Sequence, residues 1–140
     1  MESPYKTDVF VYGTLKPGGF YHDDYCAVFR FEAEEGVTKG MLFDFPSLGY
    51  PGAIENDGHM IQGVLLRFLH AESEVLKKLD RLEGYYPDRP ASENEYYRKQ
   101  VTVLDKTGRE ISSEAWCYFM EPEKVRQMMG IAIESGLWPV

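Results

Sequence analysis

The chain has 140 residues, of which 44% are hydrophobic and 27% charged, a balance that argues against disorder and for one packed domain over residues 1–140. Its formal net charge is −8 and it has no dense stripe of Lys or Arg, which argues against nucleic acid as a partner. No apolar run approaches the roughly 20 residues that span a bilayer, which argues against a membrane protein.

The cellular compartment follows from the N-terminus and the cysteines. The stretch "MESPYKTD" lacks the basic start and the apolar centre of a signal peptide. Cys26 and Cys117 are far apart in sequence and have no metal-ligand spacing, so buried free thiols are expected. These observations predict a cytoplasmic protein.

Five segments have the alternating or continuous apolar pattern that is typical of β-strands. In chain order they are Val9–Tyr12, Gly36–Phe45, Met60–Leu69, Tyr96–Leu104 and Ile111–Phe119. The Gly-containing loop "DKTGRE" between the last two predicts an antiparallel hairpin.

Two further segments have apolar residues at helical spacing. The first, "AESEVLKKLDRLEG", ends at Gly84, which provides a stop signal. In the second, "EPEKVRQMMGIAIESG", Pro122 suits the first turn, the apolar stripe extends to Ile133, and Gly136 ends the helix. The order of strands and helices predicts an α+β fold on a largely antiparallel sheet.

The first strand leads into a glycine-containing turn in the stretch "VFVYGTLKPGG". Glycines after an apolar strand let backbone N–H groups approach an anion, because no side chain intervenes. The stretch has neither the Gly-Lys-Ser/Thr ending of a mononucleotide loop nor the Gly-x-Gly-x-x-Gly of a dinucleotide loop. Neither nucleotide-binding pattern therefore fits this stretch.

One carboxylate falls on the apolar face of the first predicted helix. Glu83 follows Leu79 by four residues and Leu76 by seven, so it faces the core in the last turn. Desolvation and the negative end of the helix dipole would both raise its pKa, as proton transfer near neutral pH requires. Alternatively, the helix ends one residue earlier and Glu83 is solvated, or it pairs with Arg89 or Arg98.

Three stretches in this order, "VYGTLKPGG", "LDRLEGYY" and "YYRKQVTV", resemble the gamma-glutamylcyclotransferase-like family from about Val9 to Tyr118. Further matches to that family are "KGMLFDF", "YPGAI" and "QGVLLRF". The resemblance implies an α+β fold, a small mixed, largely antiparallel β-barrel with flanking helices. It also implies a cavity that binds a small-molecule gamma-glutamyl substrate.

The resemblance also implies roles for single residues. The loop that holds the glutamyl end, largely through backbone groups, corresponds to Tyr12, Gly13, Thr14 and Leu15. Glu83 corresponds to the residue that transfers protons. Tyr96 corresponds to a wall or hydrogen-bond donor of the cavity, and the alternative for it is a core tyrosine with a satisfied hydroxyl.

The implied activity is cyclisation of a gamma-glutamyl amine or amino acid to 5-oxoproline with release of the free amine. Glu83 would act as general base and then as general acid, with no metal and no cofactor. The alternative is a non-catalytic module that keeps the fold and binds a small carboxylate, or that acts through its surface in a protein complex. A glutamate at position 83 favours the enzyme.

Residues outside these motifs receive smaller roles. Arg98 is expected to pair with Asp80 as a structural contact. Lys16 would attract an anionic substrate or be an ordinary exposed lysine. The C-terminal "SGLWPV" would cover the cavity, pack on the barrel or meet a second subunit. His22, His59 and His70 have no metal-ligand spacing. The sequence predicts neither the leaving amine nor the oligomeric state.

Overall fold

A computed structural model describes residues 7–13, 16, 31–46, 48–69, 72–86, 88, 90 and 94–138 of the chain. Its elements are, in chain order, β1 (Thr7–Val11), β2 (Phe31–Lys39), β3 (Met41–Phe45), β4 (Tyr50–Ile54), β5 (Met60–Phe68), α1 (Glu72–Glu83), β6 (Tyr97–Leu104), β7 (Glu110–Phe119), α2 (Pro122–Gln127) and β8 (Ile131–Ala132). The α+β class predicted from the sequence is confirmed.

Five strands form one curled sheet in the order β1, β5, β2, β6, β7. Neighbours in this order are antiparallel. The sheet closes into a small barrel where β1 and β7 pair in parallel through Val9 and Trp116. The hairpin predicted at "DKTGRE" joins β6 to β7, with Gly108 at φ 90° in its turn. The largely antiparallel barrel is therefore confirmed.

A second, three-stranded sheet has the order β4, β3, β8. The prediction of one strand over Gly36–Phe45 is wrong at Gly40, because β2 belongs to the barrel and β3 to this second sheet. A Cβ at Gly40 would lie 2.5 Å from Ile61 Cδ1 and 3.1 Å from the carbonyl oxygen of Ile54, so glycine suits the place where the chain passes from one sheet to the other.

β4 was not predicted, since its sequence "YPGAI" contains two residues that are depleted in strands. The structure accommodates Pro51 because β4 is an edge strand, where a missing N–H breaks no ladder. A Cβ at Gly52 would lie 2.3 Å from Met120 Sδ, so glycine lets β4 approach the chain that follows β7.

The second predicted helix is wrong beyond Gln127. α2 ends there, Met129 has φ 57°, and Ile131–Ala132 pairs with β3 as a short strand. The close packing of Gly130 explains the break, because a Cβ there would lie 2.7 Å from Phe45 Cε1. The apolar stripe that resembled a helix therefore continues as an edge strand.

α1 follows its prediction and packs one face on the barrel. Val75, Leu76 and Leu79 are fully or almost fully buried and join the same core cluster as Val9 and Leu66 of the barrel. Burying each such side chain contributes roughly 1.5–3 kcal/mol. This packing fixes the rotation of α1 and therefore the direction in which its last turn points.

Candidate active site

A cavity of about 130 Å³ lies where the end of β1, strand β4, the end of α1 and strand β7 meet. Its lining residues are Phe10, Val11, Tyr12, Gly13, Tyr50, Pro51, Leu82, Glu83, Glu95, Tyr96 and Tyr118. The lining is largely apolar and aromatic with two carboxylates, a composition typical of a small-molecule site.

The Glu83 side chain is placed in this cavity by the way in which α1 ends. The N–H of Tyr85 donates to the carbonyl of Asp80 at 2.9 Å, and that of Gly84 to the carbonyl of Arg81 at 3.4 Å. With Gly84 at φ 65°, these two bonds make a Schellman C-cap. Glu83 is therefore held as the last helical residue, on the face that the packing of α1 turns inward.

The environment of Glu83 raises its pKa from 4.5 to about 8. Desolvation is the largest cause, followed by the nearby carboxylates of Glu95 and Asp80. The side chain is half-buried because it faces the cavity, and no described residue donates a hydrogen bond to its carboxylate. A proton acceptor that is reachable and titrates near neutral pH is suited to acid–base chemistry.

Asp80 and Arg98 form an ion pair behind Glu83, as expected from the sequence. Arg98 Nε donates to Asp80 Oδ1 at 3.0 Å, and the Tyr118 hydroxyl donates to the same oxygen at 2.5 Å. The guanidinium carbon lies 4.4 Å from the ring centroid of Trp116 and 5.5 Å from that of Tyr85. Arg98 thus pairs with Asp80, and the alternative of a Glu83–Arg98 pair is wrong.

Two tyrosine hydroxyls in the cavity donate to backbone carbonyls. Tyr12 donates to the carbonyl of Tyr118 at 2.7 Å, and Tyr96 donates to the carbonyl of Pro51 at 2.7 Å. Burial raises the pKa of both phenols, so both are neutral and keep these protons at physiological pH. Both rings therefore line the cavity, and neither hydroxyl has a free proton to donate to a ligand.

Tyr12 and Gly13, where β1 leads into its turn, form a second part of the cavity lining, which we call the turn wall. Lys16 N–H donates to the carbonyl of Gly13 at 3.0 Å, which closes a turn. Gly13 packs so closely on β4 that a Cβ would lie 2.8 Å from Pro51 Cγ. Thr14 and Leu15, which the sequence also assigned to substrate binding, lie outside the described residues.

The C-terminal segment holds this turn from outside. Lys16 is 3% exposed and its Nζ donates to the carbonyl of Trp138, while Trp138 packs against a core cluster that includes Phe10 and Leu65 of the barrel. Gln62 N–H also donates to the carbonyl of Gly136 at 2.7 Å. Of the roles considered for this segment, the structure shows packing on the barrel. The prediction of an exposed lysine at position 16 is wrong.

The structure brings four of the predicted site residues to one cavity, namely Tyr12, Gly13, Glu83 and Tyr96. Sequence reasoning missed Tyr50 and Glu95, which line the same cavity and are hydrogen-bonded to each other. The position of Glu95 directly before Tyr96 was a signal that could have identified it.

Some expectations concern residues away from the cavity. Cys117 is a buried free thiol, while Cys26 lies outside the described residues, as do His22 and His70. In the part of the chain that the structure covers, no three His, Cys, Asp or Glu side chains are grouped to hold a metal ion. No helix in that part has the length and apolar character needed to cross a bilayer.

A curled barrel whose cavity is lined by a Tyr-Gly turn and by a carboxylate at a helix end fits the gamma-glutamylcyclotransferase-like class of enzyme that the motifs resemble. The model of the family described as "Gamma-glutamyl cyclotransferase, AIG2-like" matches residues 9–140. The chain belongs to this family, which confirms the resemblance of its motifs.

Known relatives agree with this assignment. The chain is 34% identical over 128 residues to "Putative gamma-glutamylcyclotransferase MJ1514" of Methanocaldococcus jannaschii, covering 91% of this chain and 92% of that protein. The crystal structure of YkqA from Bacillus subtilis is similar with a TM-score of 0.61 at 26% identity, over 94% of this chain but only 39% of YkqA. An AIG2-like protein from Mus musculus shares the fold, with a TM-score of 0.67 at 20% identity over 96% of this chain and 89% of that protein.

Proposed function

We propose that the protein cyclises a gamma-glutamyl amine or gamma-glutamyl amino acid to 5-oxoproline and releases the free amine, with Glu83 as general base and general acid. The observation that carries the proposal is that Glu83, with a pKa of about 8, shares one cavity with Gly13 of the turn after β1. The family assignment over residues 9–140 supports the same reaction type.

The substrate supplies its own nucleophile in this reaction. The α-amine of the gamma-glutamyl group is an ammonium at neutral pH and must lose a proton before it attacks the γ-carbonyl. Glu83 takes that proton and gives it to the leaving nitrogen as the C–N bond breaks. A second proton leaves the attacking nitrogen as the lactam forms and ends on the freed amine, so the products are a neutral lactam and an ammonium ion.

The pKa of Glu83 suits this exchange because it is close to the pKa of the substrate ammonium that gives up the proton. A carboxylate with its ordinary pKa near 4.5 would be a weak base toward an ammonium, whereas a pKa of about 8 makes the transfer nearly balanced. A substrate ammonium beside Glu83 also favours the ionised form of the carboxylate, so binding prepares the base.

The turn wall is proposed to hold the α-carboxylate of the substrate. Backbone N–H groups of Gly13, Thr14 and Leu15 are the assigned donors, and Tyr12 and Tyr96 shape the pocket. The engaged hydroxyls of both tyrosines support this division of roles, because neither has a free proton to offer an anion. Binding by backbone amides suits a glycine-containing turn.

Holding the substrate in a folded conformation supplies much of the rate. Closure of a five-membered ring is intramolecular, and effective molarities of about 10⁵ to 10⁸ M show how far orientation alone can lower such barriers. The rigid apolar walls around Glu83 are suited to this task. The reaction as proposed uses neither a metal nor a cofactor, because both reacting groups belong to the substrate.

The test compares the parent with Glu83→Gln on a panel of gamma-glutamyl amines and amino acids, with 5-oxoproline as the measured product. We expect turnover of at least one compound by the parent and a loss of roughly 10²- to 10⁴-fold in the variant. Glu110→Gln is the matched control, because Glu110 is exposed at the start of β7, and it should retain the parental rate.

Two outcomes would contradict the proposal. Equal rates for the parent and Glu83→Gln would remove Glu83 from the mechanism. Absence of turnover on the whole panel, together with measurable binding of 5-oxoproline, would instead identify a carboxylate-binding module.

A further inference from the structure

A second carboxylate, Glu95, lines the same cavity as Glu83 and takes no part in the proposed proton transfer. Glu95 is tied to the end of α1 beside Glu83, because its N–H donates to the carbonyl of Gly84, and both glutamates line the same cavity. Two carboxylates at one small cavity repel each other unless one binds a proton or a cation lies between them. Glu83 meets this condition by keeping its proton up to a pH of about 8, and in an occupied site a cationic group of the ligand would meet it instead.

Glu95 is held in place by contacts on three sides. The Tyr50 hydroxyl donates to Glu95 Oε1 at 2.5 Å, and Glu95 N–H donates to the carbonyl of Gly84 at 3.2 Å. The preceding Asn94 is buried and makes two hydrogen bonds with the backbone of Tyr86, at 3.1 and 3.2 Å. These bonds fasten the segment to the cap of α1, so the carboxylate has a defined position relative to Glu83.

One oxygen of this carboxylate remains available to a ligand. Oε1 accepts the bond from Tyr50, whereas no residue in the described ranges donates to Oε2. Glu95 is half-buried at the cavity wall, so a ligand can reach it. A tethered carboxylate with one free oxygen is a good acceptor for a cationic N–H group.

The gamma-glutamyl group contains one cationic centre, the α-ammonium, which carries three N–H donors. If one N–H points to Glu83 for transfer, the other two remain to be satisfied. Leaving them unpaired in a largely apolar cavity would oppose binding. Glu95 supplies an acceptor on the same side of the cavity as Glu83.

We propose that Glu95 binds the α-ammonium group of the substrate through its free oxygen, with Tyr50 holding the carboxylate in position, so that the ammonium is shared between Glu95 and Glu83. This inference rests on the proposed function for its choice of ligand. Glu95 is then the residue that selects gamma-glutamyl compounds with a free α-amine over analogues that lack it.

The test measures the binding of two ligands, with and without the α-amine, to two proteins, with and without the Glu95 carboxylate. The ligands are gamma-glutamyl-N-methylamide and glutaric acid mono-N-methylamide, which differ only in the α-amine. Calorimetric binding is measured in Glu83→Gln, which does not consume the amide, and in Glu83→Gln combined with Glu95→Gln. We expect the first protein to bind the amine-containing ligand at least tenfold tighter, and the second to lose most of that preference.

Two controls separate charge from position. Glu83→Gln combined with Glu110→Gln loses the same formal charge at an exposed site and should keep the full preference. Tyr50→Phe keeps the carboxylate but removes its tether, so in the active background it should raise KM severalfold and change kcat little. Should Glu95→Gln fail to fold, Glu95→Asp, which retracts the carboxylate by one methylene, should lose part of the preference.

The two proposals fail in distinguishable ways. An active parent with an unchanged amine preference in the Glu95→Gln protein would overturn the role of Glu95 and leave the proposed function intact. An inactive parent whose amine preference depends on Glu95 would overturn the proposed function and leave the ammonium site intact. Equal affinity of both ligands for the protein that retains Glu95 would also overturn the ammonium site.

Discussion

The two walls of the cavity are built in different ways. The carboxylate wall, defined as Glu83 and Glu95 with Asp80 behind them, presents side-chain charges whose mutual repulsion is part of the site. The turn wall, defined as Tyr12 and Gly13, presents main-chain groups and a hydroxyl that is already hydrogen-bonded. The carboxylate wall therefore depends on where side chains are held, whereas the turn wall depends on how closely the main chain packs.

The largest effect on stability is expected from replacing Glu83 in the carboxylate wall. Between pH 4.5 and about 8 the folded chain keeps a proton on Glu83 that the unfolded chain has lost. The contribution of Glu83 to stability is therefore highest below pH 4.5 and falls by roughly 1.4 kcal/mol per pH unit until the pH reaches the folded pKa. The free energy of unfolding, measured in urea, should be the same for Glu83→Gln and the parent near pH 4.5. Above pH 8 it should be roughly 3–5 kcal/mol higher for Glu83→Gln than for the parent.

Glu110→Gln, at an exposed position at the start of β7, serves as the matched control for replacing a glutamate by glutamine. If the curves of Glu83→Gln and the parent run parallel, Glu83 ionises normally, and the contrast between the two walls loses its basis.

The support behind the carboxylate wall should give the next largest effect. Asp80→Asn leaves Arg98 without its carboxylate, and unpaired buried charges are strongly destabilising. The side chains of Arg98 and Asp80 keep 20% and 14% exposure, so water still partly solvates the unpaired charge. We therefore expect a loss of about 2–3 kcal/mol in the free energy of unfolding, measured in urea at neutral pH. Glu35→Gln breaks the exposed pair with Lys106 and should change stability by less than about 0.5 kcal/mol. Equal effects of the two changes would contradict the structural role of Asp80.

The turn wall should respond to volume, not to charge. In Gly13→Ala the new methyl group would meet Pro51 Cγ at 2.8 Å and displace the wall. We expect a loss of about 1–2 kcal/mol in stability and a fall of roughly 10- to 100-fold in kcat/KM. Gly58→Ala is the control, because its nearest neighbour would be 3.4 Å away. Parental kinetics in Gly13→Ala would show that the turn does not shape the site.

The smallest effect is expected outside the turn wall. Lys16→Met removes the hydrogen bond to the Trp138 carbonyl but fills the same buried space. We expect about 1 kcal/mol of lost stability and a severalfold rise in KM with little change in kcat, as for loosened ground-state binding. Lys77→Met, at an exposed position of α1, should leave both quantities unchanged. A fall in kcat with constant KM would contradict a purely supporting role.

Local sequence patterns determined much of the fold. The apolar patterns located four of the five barrel strands and only the second half of β2, while the 3.6-residue period located α1, because each pattern records which face of one element is buried. The same periodicity placed Glu83 on the inward face, and Gly84 marked the end of the helix. The pairing of Asp80 with Arg98 was also foreseen.

The tertiary structure alone decided the turn between sheets at Gly40, the early end of α2 before Gly130, and the pairing of Glu95 with Tyr50. At Gly40 and Gly130 the deciding neighbours are Ile61 and Phe45, which are distant in sequence. Periodicity carries no information about which distant residues meet, because strand order and packing set those contacts. The sequence therefore determined the faces of the elements, and the packing of those faces assembled the cavity.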